Sequence, residues 1–308
     1  MRWPTHLLQL HRLAVHLIAA ALLLVPLPVF AQKPPAPPSS GAAFTDVPEL
    51  KGGFRLLYNQ KFKEARQVFT AWESRHPDDP FGEVAVAATY LYEELFAKGV
   101  LTSDFFLDNN KFLHGIDGKP DAALMSNFAG ALQRTRDLAN LRLKKNPQDA
   151  EALYGLTLAA GMESDANAIL EKRPLDALHR MKEANEYAKQ LLALQPDATD
   201  AYVALGIGNF IIGSLNPGYR FGLWFMGIHG DKKLGMEEVA KAAENGRYLQ
   251  PFAKIMLALA ARREKQPALA ERLLHELTVE FPDSPLFAAE YAKAMGQPIP
   301  AKIIPATR

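Results

Sequence analysis

The sequence approaches several catalytic patterns and completes none. His275-Glu276 opens the His-Glu-x-x-His pattern, in which one helix face offers two zinc ligands and a general base. Val279 stands where the second histidine is needed. Gly206-Ile207-Gly208 begins a phosphate-cradling glycine turn, but Ile211 replaces its third glycine, and the segment lies inside a helical pattern instead of after a strand. Ser214 lacks the glycine two residues earlier that a nucleophile elbow requires, because Ile212 stands there. No phosphate loop is present, and His76, His114, His179, His229 and His275 show no metal-ligand spacing. Asp104, Asp108, Asn109 and Asn110 match calcium loops in composition only, since the register and the closing glutamate are missing. Asp78-Asp79 and Glu93-Glu94 read as turn chemistry and a solvated helix face. The absence of cysteine excludes disulfides, thiol nucleophiles, thiolate metal sites and a lipid-modified cysteine. The expectation is a non-enzymatic protein with no catalytic, cofactor-binding or metal site.

A protein without chemistry of its own must act through its surface, so the elements that build that surface decide its function. The chain has 308 residues, 48% hydrophobic and 22% charged, enough for one large core or two ordinary ones. Lys and Arg number 35 against 34 Asp and Glu. Residues 1–31 carry Arg2 and Arg12 and no acid, which leaves 33 bases against 34 acids in the remainder. A near-neutral body has no global field to hold nucleic acid.

Residues 1–31 read as a signal peptide: Arg2 and Arg12, the apolar run Leu13 to Leu24, then Val29-Phe30-Ala31 before a cut at Gln32. An uncleaved membrane anchor is the alternative, and Pro26, Pro28 and the short apolar run favour cleavage. Export to the periplasm or cell envelope follows. Residues 32–44 are Pro-rich and read as a disordered linker. From 45 to 296 apolar residues recur at helical spacing, with Pro77, Pro147, Pro196 and Pro282 ending helices. Thr199 and Asp200 are expected to cap the helix after Pro196, and Gly246 to end another helix. Two stretches break the pattern, about 99–119 and 214–235, and 297–308 reads as a flexible tail.

Small residues precede the terminating prolines by twelve positions: Ala65 before Pro77, Ala184 before Pro196, Ala270 before Pro282, and less closely Thr135 before Pro147. Tyr202, Leu205 and Gly206 then follow Ala184, Tyr187, Leu191 and Pro196. Gly53, Phe62, Ala65, Phe69 and Pro77 match in the first unit, and Leu257, Ala258, Ala270, Leu274 and Pro282 in the last. These residues resemble the tetratricopeptide repeat (TPR) family, of exported bacterial type. The resemblance implies an all-α, right-handed α-solenoid of about five helix pairs plus a terminal helix, with two irregular insertions. Residues 206–249, with Gly213-Ser214-Leu215, Gly227-Ile228-His229-Gly230-Asp231 and Gly235-Met236, are also similar to the eukaryotic tetratricopeptide repeat 39 and mitochondrial outer-membrane family. That second likeness implies at most a role with lipids, membranes or protein deposits.

In the resembled family, partners lie against the first helix of each pair. Carried over, this stripe is Phe81, Val84 and Tyr92, then Tyr154 and Leu158, then Val203, Ile207, Phe210 and Ile211, then Phe252 and Ile255. It is apolar where the family's carboxylate clamps are basic, so it is read as a groove for an apolar peptide or a lipid-like ligand. The groove filled by the protein's own chain is the other reading, since apolar stripes at helical spacing are commonly core. Tyr219, Phe221, Leu223, Trp224, Phe225 and Met226 of the second insertion either fold back onto the solenoid or dock on a membrane or partner. The expected function is an exported scaffold for protein–protein or protein–peptide interaction in the cell envelope. The alternative is a carrier of a hydrophobic ligand.

Overall fold

The terminating prolines impose one turn four times. The computed structural model describes residues 43–108 and 115–299, all within the compact unit Ala36–Arg308. Among them are thirteen α-helices and no strand. The first seven are α1 (Pro48–Tyr58), α2 (Phe62–Arg75), α3 (Pro80–Ala97), α4 (Ser103–Leu107), α5 (Ala122–Lys145), α6 (Ala150–Asp165) and α7 (Pro174–Leu194). The rest are α8 (Tyr202–Ser214), α9 (Pro217–Phe225), α10 (Lys232–Asn245), α11 (Gln250–Arg263), α12 (Pro267–Glu280) and α13 (Pro285–Ala294). Helices α2, α5, α7 and α12 each stop two residues before a proline. The residue between (His76, Asn146, Gln195, Phe281) leaves the helical region, with φ from −124° to −139° and ψ from 63° to 99°, because the proline ring disfavours helical backbone before it. The turn closes by one repeated bond: Asp79, Asp149, Ala198 and Ser284 each donate N–H to the carbonyl three residues earlier, at 3.0 Å.

Three of those four positions then cap the next helix through a side-chain oxygen: Asp79 for α3, Asp149 for α6 and Ser284 for α13. The fourth is Ala198, which cannot. Thr199–Ala201 instead forms a 3-10 turn, and no side chain caps α8. The expected cap by Thr199 or Asp200 is therefore absent, and Asp200 is released for another task.

Each long helix packs on the next in sequence, and α3, α6, α8 and α11 also touch in succession as an inner row. The α8–α10 crossing is close. A Cβ on Gly206 would lie 2.7 Å from the Gly235 carbonyl, and one on Gly235 would lie 2.5 Å from the Phe210 nitrogen. Backbone meets backbone there, which is why small residues mark this stretch.

Four buried carboxylates pin returning chain onto the helices. Glu151 accepts Ala43 N–H at 3.4 Å, Glu94 accepts Asp121 N–H at 3.0 Å, and Glu290 accepts Ser103 N–H at 3.0 Å. Asp200 accepts the N–H groups of Arg247, Tyr248 and Leu249 and the Tyr154 hydroxyl, at 2.7–3.3 Å. A hydrogen bond to a charged group is worth about 1.5–3 kcal/mol, so each pin can hold a loop against its entropy.

Several expectations are corrected here. Ala43 is buried and Phe44 packs on Tyr154, so the core begins before residue 45. Glu94 is 1% exposed and pins a loop; it does not belong to a solvated face. The first insertion contains α4, with Ser103 and Phe105 buried and Asp104 paired to Lys293 at 2.7 Å. Asn109, Asn110, residues 1–31 expected as a signal peptide, and most of the expected linker and tail lie outside the described residues. Gly246 is not a left-handed cap: its φ is −63°. It is glycine because a Cβ would lie 2.4 Å from the Ala242 carbonyl and 2.6 Å from Asp200 Oδ1.

Candidate functional site

The inner row of helices borders an apolar cleft of about 570 Å³, and Tyr92 and Phe252, on its wall, also line two smaller cavities of about 110 and 80 Å³. Helix α3 contributes Tyr92, α8 contributes Ile207, Phe210 and Ile211, and α11 contributes Phe252 and Met256. Leu178 and Met181 of α7 and Leu215 after α8 complete the wall. Val84, Leu158 and Val203 line the middle cavity, and Ile255 the smallest. Nine of the twelve residues expected on the groove thus line one or another of these three cavities.

Three do not. Phe81 and Tyr154 are sealed at 0% and 1% exposure in an aromatic cluster with Phe54 and Tyr248. Tyr248 comes from the α10–α11 loop, which Asp200 holds in place by its backbone, while the Tyr248 hydroxyl donates to Thr45 O at 3.1 Å. That part of the stripe is covered by the protein's own chain. Trp224, on α9, does not line the cleft; its neighbours Tyr219 and Leu223 do.

The second insertion does not fold back as a core element. Helix α9 has no buried residue, and Tyr219, Phe221, Trp224, Phe225 and Met226 are all exposed. Leaving one such side chain in water instead of burying it forgoes roughly 1.5–3 kcal/mol. The first insertion does fold in: α4 is strapped across the C-terminal helices by Glu290 and Lys293, and Arg263 donates to the Phe106 carbonyl.

Sequence reasoning missed Asp165, the last residue of α6, which borders both the cleft and the middle cavity. It is half-buried, and no hydrogen bond or ion pair holds its carboxylate among the described residues. Burial pushes that carboxyl up to about 7. Burial, and secondarily the nearby Asp165 charge, also raises the Tyr92 phenol. Lys172 and Arg263 stand at the rim of the same cleft. The signal for Asp165 was present as an acid between two apolar segments, but the stretch 163–173 reads as a plain connection, whereas α6 runs to Asp165 and a π-helical turn, Ala166–Leu170, follows it. Asp200 is only 6% exposed; burial raises its carboxyl and its four donors oppose that rise.

The arrangement can hold an apolar molecule and offers one acid inside and two bases at the rim. Among the described residues no three His, Asp or Glu side chains gather as metal ligands would, and no helix is long and apolar enough to cross a membrane. Set against known proteins, the chain matches no family model and no curated protein.

Proposed function

We propose that this is an exported, non-enzymatic binding protein whose cleft carries a hydrophobic, lipid-like ligand. The observation that carries the reading is the 570 Å³ cleft with its nearly continuous apolar wall. Ligand sites for small molecules run about 300–1,000 Å³ and are mostly apolar with a few placed polar groups. Asp165, Lys172 and Arg263 are those groups here. In this reading the helices form a right-handed, TPR-like α-solenoid of about five pairs plus a terminal helix, supported by the repeated proline turn. Export rests on Arg2, Arg12, the Leu13–Leu24 run and Val29-Phe30-Ala31, with an N-terminal membrane anchor as its variant.

One observation favours a second reading, a scaffold for an envelope protein or peptide. The cleft wall includes the exposed Lys172 and Tyr219, where an apolar anchor of a partner would enter. A long peptide laid along the whole inner row is disfavoured, because Phe81 and Tyr154 are already buried, Phe81 against Tyr248 and Tyr154 against Phe44.

Native mass spectrometry of the protein purified from its own envelope fraction, with an organic extract of the same sample, tests this. A bound apolar small molecule is the expected result; a bound peptide mass would move the assignment to the scaffold. N-phenylnaphthylamine should also bind the purified protein, and Ile211→Trp, which fills the cleft, should weaken it by about tenfold. Absence of probe binding together with a clean apo mass would sink the carrier reading.

A further inference from the structure

We propose that α9 docks on a membrane surface containing anionic lipid, with Phe221, Trp224 and Phe225 entering the interface. These three residues share one helix face by their spacing, and their rings meet each other, with centroids 4.9–6.5 Å apart. Their exposures are 65%, 56% and 69%. Trp72, the other described tryptophan, is 7% exposed.

The helix is presented firmly. Asn216 Oδ1 accepts Tyr219 N–H at 3.1 Å at its start. At its end Ile228 N–H donates to the Leu223 carbonyl at 3.0 Å, around Gly227 at φ 71°. The returning strand of chain crosses α8 so closely that a Cβ on Gly230 would lie 2.6 Å from the Gly213 nitrogen. An aromatic cluster held outward on fixed supports is a poor arrangement unless something apolar meets it.

Three features select lipid as that occupant. From Ser214 to Gly230 there is no acid, while Arg220 has no side-chain partner among the described residues. Aromatic rings with a nearby base suit the headgroup region of an anionic bilayer. The helix is nine residues, roughly 14 Å long, too small a face to supply the ~800 Å² per partner of a stable protein interface. A lipid surface needs no matching shape. On its inner side α9 puts Tyr219 and Leu223 on the cleft wall, so the docked helix would stand between bilayer and cleft. The proposal does not depend on what the cleft holds, so the two can fail separately.

Co-sedimentation of the full chain with mixed phosphatidylcholine–phosphatidylglycerol vesicles tests it, against a variant carrying Phe221→Ser, Trp224→Ser and Phe225→Ser. The Leu13–Leu24 run is common to both, so the difference reports α9. Expected are at least about tenfold weaker binding by the variant, an unchanged circular-dichroism melt, and quenching by brominated acyl chains that Trp224→Phe removes. Arg220→Glu should weaken binding to mixed vesicles. Equal binding of wild type and variant, or equal binding to pure phosphatidylcholine, would overturn the proposal. So would a dimer, seen by analytical ultracentrifugation, that the triple variant abolishes.

Discussion

Phe81 and Ile207 belong to the same inner row of helices and to the same apolar stripe, yet the molecule treats them oppositely. Around Phe81 the stripe is closed: Phe54, Tyr154 and Tyr248 pack on its ring and leave it 0% exposed. Around Ile207 the stripe remains the wall of a cleft. Side-chain type does not separate the two regions. What separates them is one carboxylate: Asp200, which caps no helix, accepts three successive N–H groups of the 247–249 loop and holds Tyr248 against Phe81. No comparable pin pulls a cover over Ile207, Phe210 and Ile211. The insertion that follows them turns outward as α9 instead.

The largest effect should come from removing the pin. Asp200→Ala strands the Tyr154 hydroxyl and three N–H groups, and should lower stability by ~3–5 kcal/mol, a fall in Tm on the order of 10 °C by calorimetry. An unchanged melt would mean that the closed half closes without it. Next is the α8–α10 crossing, which shapes the open half. Gly235→Ala places a Cβ 2.5 Å from the Phe210 nitrogen, and should cost ~2–3 kcal/mol in urea unfolding.

Asp165 gives a smaller effect with a distinctive pH dependence. Its folded pKa, about 7, lies above the ordinary 3.8, so the folded state holds its proton more tightly. Its cost is absent below pH ~4, grows as pH rises toward 7, and is constant above that. Asp165→Asn should therefore stabilise by ~1–2 kcal/mol at pH 8 and change little at pH 4. A gain that is the same at both values would remove the carboxylate from the cleft wall. The smallest effect is on α9: Phe225→Ser should shift stability by no more than ~0.5 kcal/mol, since the ring is 69% exposed. A larger loss would show that α9 packs on the body.

Much of the helical framework was legible in the sequence. Prolines at 77, 147, 196 and 282 end helices by local sterics, and apolar spacing marks the helix faces, so neither needs the rest of the molecule. Nine of the twelve expected groove residues line cavities for the same reason: a helix face is a local property. Their exposure was not. Glu94, Glu151, Glu290 and Asp200 look like ordinary surface acids in sequence, and become pins only because helices bring distant N–H groups to them. Gly246 looks like a helix cap and is instead the space that Asp200 Oδ1 occupies.

The sequence by itself determined the helices, their proline turns and the apolar stripe, because backbone sterics and side-chain period act within a few residues. Only the tertiary structure decided which part of the stripe is closed by Tyr248, which part stays open around Asp165, and that α9 faces outward. Those outcomes depend on hydrogen bonds and close backbone approaches between residues tens to hundreds of positions apart, such as Asp200 with Tyr248 and Ala43 with Glu151.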